Sequence, residues 1–348
     1  NYNTVVGDEA GTAITTGDNN VAVGHLALTA NTTGSTNTAL GTASLATNTT
    51  GATNTAVGRS ALYANTTGAS NVAVGTSALD ANTTGGTNVA VGTNALTTAT
   101  TGNGNIAVGY QSLYSHTTGN YNLAIGENTM FASTTGANNV ALGSYALDAN
   151  TTASNNTAVG KDALTANTTG ASNVAVGALA LDANTTADSN TAVGYASLSA
   201  NTTGNSNVAM GYHAGEDVTT GNDNTFIGYY AGAQSTTGSD NTAIGFVAMG
   251  NGVITGATNT AVGYAALYSL TSGTDNLALG RDAGRTGSPG GQVTTGDKGI
   301  FVGDETMTEA HIQIDWTVAS DARDKTDFTA LDLGLDFVKD LQPVTYKW

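Results

Sequence analysis

Glycine recurs in this chain with a period that leaves little choice of architecture. It stands at Gly7, Gly24, Gly41 and Gly58, at every seventeenth position after that to Gly245, and then at Gly263 and Gly280. Asparagine stands four residues before each of them, from Asn3 and Asn20 to Asn259 and Asn276, and the residue just before each glycine is Val, Ile, Leu or Met. A representative unit, 71–87, reads NVAVGTSALDANTTGGT. A repeat this short cannot bury an apolar face by itself, so it must stack on its neighbours as a solenoid. The period predicts one elongated body over residues 1–285, a loop and strand connector over 286–319, and a separate segment over 320–348.

Within each unit, Asn-x-Ala-Val-Gly alternates its side chains as a short β-strand does. Leu follows the glycine by four residues in most copies (Leu28, Leu62, Leu79, Leu147, Leu164), and Asn-Thr-Thr-Gly closes a turn, as at 31–34 and 65–68. Stacking then predicts ladders of asparagine amides and threonine hydroxyls around a narrow interior filled by Val and Leu. The Ala-Leu segment reads as a bent strand or a single helical turn. A helical array is excluded, because Gly, Asn and paired threonines recur too densely for long helices. The expected class is all-β, a parallel β-solenoid of 17-residue coils with a short α/β segment at its C-terminus. Where Gly replaces Leu, in GYHAG (211–215), GYYAG (228–232) and GRDAG (280–284), the coil is expected to be thinner or differently bent.

Chemistry is sparse along the repeats. The net charge is −17, and only Arg59 and Lys161 are basic before Arg281, so nothing is available to neutralise a phosphate backbone. There is no cysteine, and no apolar run long enough to span a membrane. His25, His116, His213 and His311 are scattered, and Asp80, Asp148 and Asp182 share a coil position without a calcium-binding repeat pattern, so no metal and no cofactor are expected. No clustered carboxylates, Ser-His-Asp set or phosphate loop point to an enzyme acting on an external substrate. Tyr195, Tyr212, Tyr229, Phe246 and Tyr264 follow the register glycine in five successive coils. Stacking makes them an aromatic ladder that either binds a sugar or packs on itself or between chains.

After Arg285 the period dissolves into TGSPGGQVTTGDKG, a loop; 300–303 imitates one more strand, and 310–318 alternates as another. Beyond lie Ser320-Asp-Ala-Arg-Asp-Lys325, a helical pattern over 331–341 with Leu335, Val338 and Leu341 on one side, and an extended Pro-Val-Thr-Tyr-Lys-Trp end.

The Asn-x-x-aliphatic-Gly strand is similar to the head repeats of trimeric bacterial adhesins, whose units are shorter. Over roughly residues 1–285 this resemblance implies a left-handed β-roll with three chains side by side. The motif Ser320, Asp321, Arg323 and Lys325, with the Leu-rich helix and the Pro-Val-x-Tyr-x-Trp end, resembles the start of the intramolecular chaperone domain of the S74 peptidase family, found at the C-terminus of phage tail fibres and endosialidase tailspikes. That resemblance implies a domain extending beyond Trp348, which aligns three chains and then cuts itself off, with Ser320 as nucleophile and Lys325 as its base. A lysine desolvated by its surroundings can lose its proton and activate a hydroxyl in this way.

The expected function is thus structural: the shaft of a homotrimeric phage tail fibre or tailspike in the virion tail, for attachment to a host cell-surface receptor or glycan. At most it performs one self-cleavage per chain. A bacterial trimeric surface adhesin or extracellular filament is the alternative, and an ice- or glycan-binding solenoid a third. Nucleic acid is not an expected partner.

Overall fold

A computed structural model of the chain describes residues 2–288 and 290–309. Its described residues contain eighteen three-residue strands and no α-helix, from β1 (Thr4–Val6) and β2 (Val21–Val23) through β9 (Val140–Leu142), β15 (Thr242–Ile244) and β16 (Thr260–Val262) to β17 (Leu277–Leu279) and β18 (Ile300–Val302). All lie in the first of two units, Asn1–Thr306; the second is Met307–Trp348. Each strand pairs in parallel with the next, giving one 18-stranded sheet along a β-solenoid about 80 Å long at the usual strand spacing. Register follows the period, as in Thr4↔Val21 and Ala22↔Ala39. Two intervals are longer: β15 pairs with β16 at an offset of 18 (Thr242↔Thr260), and β17 with β18 at 23 (Leu277↔Ile300). Extra residues are therefore accommodated at the corners, and strand pairing never slips.

The strand's two faces divide in a way that overturns the expected filling by Val. In β2, Ala22 is fully buried while Val21 and Val23 point outward, and the same inward alanine recurs at Ala39, Ala73, Ala141 and Ala175. Across the interior stand Ala27 and Leu28, Ala61 and Leu62, and their counterparts, all fully buried. Leu fills the narrow coil, leaving the strand wall room for only a methyl group, so the β-branched residues are turned out. Each buried Leu contributes about 1.5–3 kcal/mol.

Nor is the Ala-Leu segment a strand or a helical turn. Leu26 and Leu28 have φ of 58° and 54°, and the equivalent residues of other coils are also left-handed, which neither regular structure tolerates. This conformation costs an L-residue roughly 1–2 kcal/mol, and Leu burial offsets it. The turn still bonds along the stack: the Leu28 N–H donates to the Ser44 carbonyl at 3.0 Å.

In coils lacking this Leu, other side chains occupy the space it would fill. Phe226 replaces the inward alanine and is fully buried; a Cβ on Gly215 would lie 2.8 Å from its ring, and one on Gly232 would meet the same ring. At Gly284 the space is taken by Leu267 and Val293. The interior is thus filled from other positions where the sequence motif is not kept, as close packing requires.

Two amide ladders hold the coils together. The Asn37 N–H donates to Asn20 Oδ1 at 2.9 Å, and the Asn37 Nδ2 donates to the Gly51 carbonyl at 2.9 Å, closing the coil on itself. The pattern repeats to Asn276, whose Oδ1 accepts from Gly299 N–H. In the second ladder, Asn48 Nδ2 donates to Asn31 Oδ1 at 2.8 Å, and Asn65 and Asn82 continue it. Threonine hydroxyls bond mostly to carbonyls of the next coil, as Thr32 Oγ1 does to Thr49, rather than to each other.

The second ladder breaks at Ala99, His116 and Ser133, leaving Asn82 Oδ1, His116 Nδ1 and Ser133 Oγ buried without partners. His116 Nε2 donates to the Gly119 carbonyl at 2.9 Å, and burial holds the imidazole below its ordinary pKa. A neutral imidazole is thus favoured by folding. As pH falls below about 6.5 the unfolded chain takes up this proton first, so stability is lost until the lower, folded-state pKa is passed. His116→Asn, which can keep the bond to Gly119, should lose less stability than the parent between pH 7.5 and pH 5. Urea denaturation at both pH values measures this, and equal losses would refute it.

Candidate functional site

Because the alanines face inward, the outer side of the sheet carries two columns. The residue just before each register glycine is aliphatic in every coil, and the one three before it is Thr or aliphatic. Val6, Leu40, Ile125, Val176, Met210, Ile227, Ile244 and Leu279 are among the exposed members. A continuous apolar stripe along a rod is more than scattered surface hydrophobicity, and such patches mark contact with a partner.

Beside it, over the C-terminal third, runs the aromatic ladder. Ring centroids are 5.4 Å apart for Tyr195 and Tyr212, 5.3 Å for Tyr212 and Tyr229, 5.0 Å for Tyr229 and Phe246, and 5.4 Å for Phe246 and Tyr264, all near parallel. A second stack, His213 on Tyr230 at 5.0 Å, meets the edges of Tyr212 and Tyr229. Each ladder ring is 44–47% exposed. Neighbouring rings cover one another's faces, so what the ladder offers to solvent is ring edges and hydroxyls. Its last ring, Tyr264, faces the Arg281 guanidinium at 5.9 Å.

Arg281 opens the one feature that the period conceals. The 23-residue interval adds six residues over the usual 17 (23 − 17), and the inserted corner helps enclose a cleft of about 420 Å³ lined by Tyr268, Arg281, Asp282, Arg285, Asp304 and Glu305, among others. Arg285 lies 4.8 Å above the Tyr268 ring and donates to Asp282 Oδ1 at 2.7 Å; Arg281 Nε donates to Asp282 Oδ2 at 3.2 Å. The Thr306 hydroxyl and N–H donate to Asp304 and hold its carboxyl below the usual range. Sequence reading passed over this group. The signal was present in two arginines within five residues, after 280 residues containing two bases, beside the longest interval in the register.

The acidic residues of the coils are elsewhere. Asp80, Asp148 and Asp182 keep their shared coil position, and partial burial raises their carboxyl pKa values. Among the described residues no three His, Asp or Glu side chains converge as a metal site would require. No helix there is long and apolar enough to cross a membrane. Ser320, Asp321, Arg323 and Lys325 lie outside the described residues, as do His311 and the strand expected over 310–318.

Residues 320–348 match the family model described as chaperone of endosialidase, of the S74 peptidase family. No curated protein matches the chain.

Proposed function

We propose that the chain is the shaft of a homotrimeric extracellular fibre of the phage tail-fibre or tailspike kind, which holds an attachment site at a distance from its base. The observation that carries this reading is the outer sheet face, apolar on every rung of the solenoid. Three rods related by a three-fold axis can cover three such stripes at once, a closed arrangement that leaves no sticky face to grow on. The match of residues 320–348 to a chaperone of endosialidase supports it, since chaperones of that family serve trimer assembly. The same segment supports self-cleavage, in which Ser320 Oγ attacks the carbonyl of the peptide bond at or beside itself. Lys325 takes the hydroxyl proton and passes it to the departing amine as the C–N bond breaks, and water then hydrolyses the ester.

The test uses the protein expressed from its complete gene. Light scattering should give three times the mass of the chain that the preparation contains, cleaved or uncleaved. Ile125→Glu combined with Val176→Glu, both on the outer face, should give a folded monomer with the parent's β-type circular dichroism. A monomeric parent, or a trimer unmoved by the two charges, overturns the reading. In the same preparations Ser320→Ala and Lys325→Ala should keep full chain mass while the parent loses its C-terminal part; equal masses in all three reject the dyad.

A further inference from the structure

We propose that the cleft at the end of the aromatic ladder is a binding site for a neutral saccharide. It deepens the attachment reading by giving it a place and a ligand class.

The first argument is architectural. Over most of the shaft the strands repeat at the 17-residue period, and like side chains stack above one another. The six extra residues before β18 leave its pairing with β17 intact, so strand register does not require them. What they do is wall a cleft whose size, about 420 Å³, falls within the range of small-molecule sites and suits one or two sugar rings.

The second argument is chemical. Arg281 and Arg285 each use one N–H on the shared Asp282, and among the described residues the rest of each guanidinium has no hydrogen-bond acceptor, leaving donors for a ligand. Asp304 and Glu305 supply acceptors in the same cleft. Alternating fixed donors and acceptors suit a ligand whose groups both donate and accept, and vicinal sugar hydroxyls do this. Arg285 covers one face of the Tyr268 ring, and the rest of that ring lines the cleft as an apolar surface beside the polar groups. Three carboxylates against two guanidiniums make the cleft net negative, which disfavours sulfated, phosphorylated or carboxylated glycans.

The third is continuity. Arg281 lines the cleft and also caps the stack at Tyr264, so the hydroxyl-edged ladder leads into it. Rungs about 5 Å apart are comparable to the advance of an extended pyranose chain, and a longer glycan seated in the cleft could lie along the ring edges.

The test is a glycan array printed with neutral, carboxylated and sulfated oligosaccharides, probed with the complete fibre protein, followed by titration of the best neutral hit. Binding to a neutral glycan is expected, weakened at least tenfold by Arg285→Ala and by Tyr268→Ala, and unchanged by Tyr110→Ala, which removes an exposed ring from a distant coil. No binding to neutral glycans, preference for the acidic ones, or affinity that survives both cleft substitutions would overturn the proposal. Because mass is measured on the same preparation, a trimer that binds nothing rejects the site and leaves the shaft reading standing.

Discussion

Gly143→Ala should destabilise the shaft by at least about 3 kcal/mol, in the upper range of single substitutions. Gly143 sits at the end of β9 with φ of +135°, a conformation that carries a strain cost for any residue with a Cβ. The added methyl carbon would lie 2.5 Å from the Gly160 carbonyl oxygen and 2.6 Å from its carbon. Those atoms are backbone, fixed by the pairing of Val140–Leu142 with the next strand, so nothing flexible can yield. Relief requires the two coils to separate, which breaks the ladders on both sides. Gly291→Ala is the matched control: its φ is +79° but a Cβ there meets nothing within 4 Å, so the loss should stay near about 1 kcal/mol. Urea or thermal denaturation of both variants decides the matter, and similar losses would mean that the register glycine serves conformation alone.

Asn156→Ala should cost about 3 kcal/mol, combining an unpaired buried donor with a cavity. Asn156 Oδ1 accepts from Asn173 N–H at 2.9 Å, and its Nδ2 donates to the Gly170 carbonyl at 2.9 Å. Gly170 keeps a second donor in Asn167, so the orphan created is chiefly the Asn173 N–H. Asn156→Asp should be worse at neutral pH. The new carboxylate still accepts from Asn173 but points a buried negative oxygen at the Gly170 carbonyl. Its folded-state pKa must rise above the unfolded value, so the penalty is present at neutral pH and shrinks as pH falls toward about 4. Denaturation at pH 7 and pH 4.5 should show the gap between this variant and the parent narrowing on acidification; a constant gap would mean the amide proton is not the group that matters.

The period made the stacked coils, the strand in each Asn-x-Ala-x-Gly and the amide ladders legible without coordinates, because stacking places identical residues above one another. It could not tell which strand face is inside. Alternation marks two faces, and Val outranks Ala as a core residue on any hydrophobicity argument; the outcome depends on how much of the coil Leu28 and its equivalents already fill. Replacement of Leu by Gly read as a thinner or differently bent coil for a similar reason, since the filling side chain is not adjacent in sequence. The compensating Phe226 stands in the same unit as Gly232 but one coil away from Gly215, so only stacking shows that one ring fills both positions. The aromatic ladder was legible in place, with ring packed on ring among its expected arrangements. The cleft was hidden because it arises where the period fails. Ser320 and Lys325 rest on resemblance and on the family match over 320–348.

The offsets of 18 and 23 residues that leave strand pairing undisturbed separate two properties that most folds keep entangled. Adding or deleting one whole unit lengthens or shortens the spar by a single rung of about 4.8 Å, while material spliced in at a bend changes what the spar displays and not how far it reaches. A lineage, or an engineer, can therefore swap fittings on this mast without recutting it.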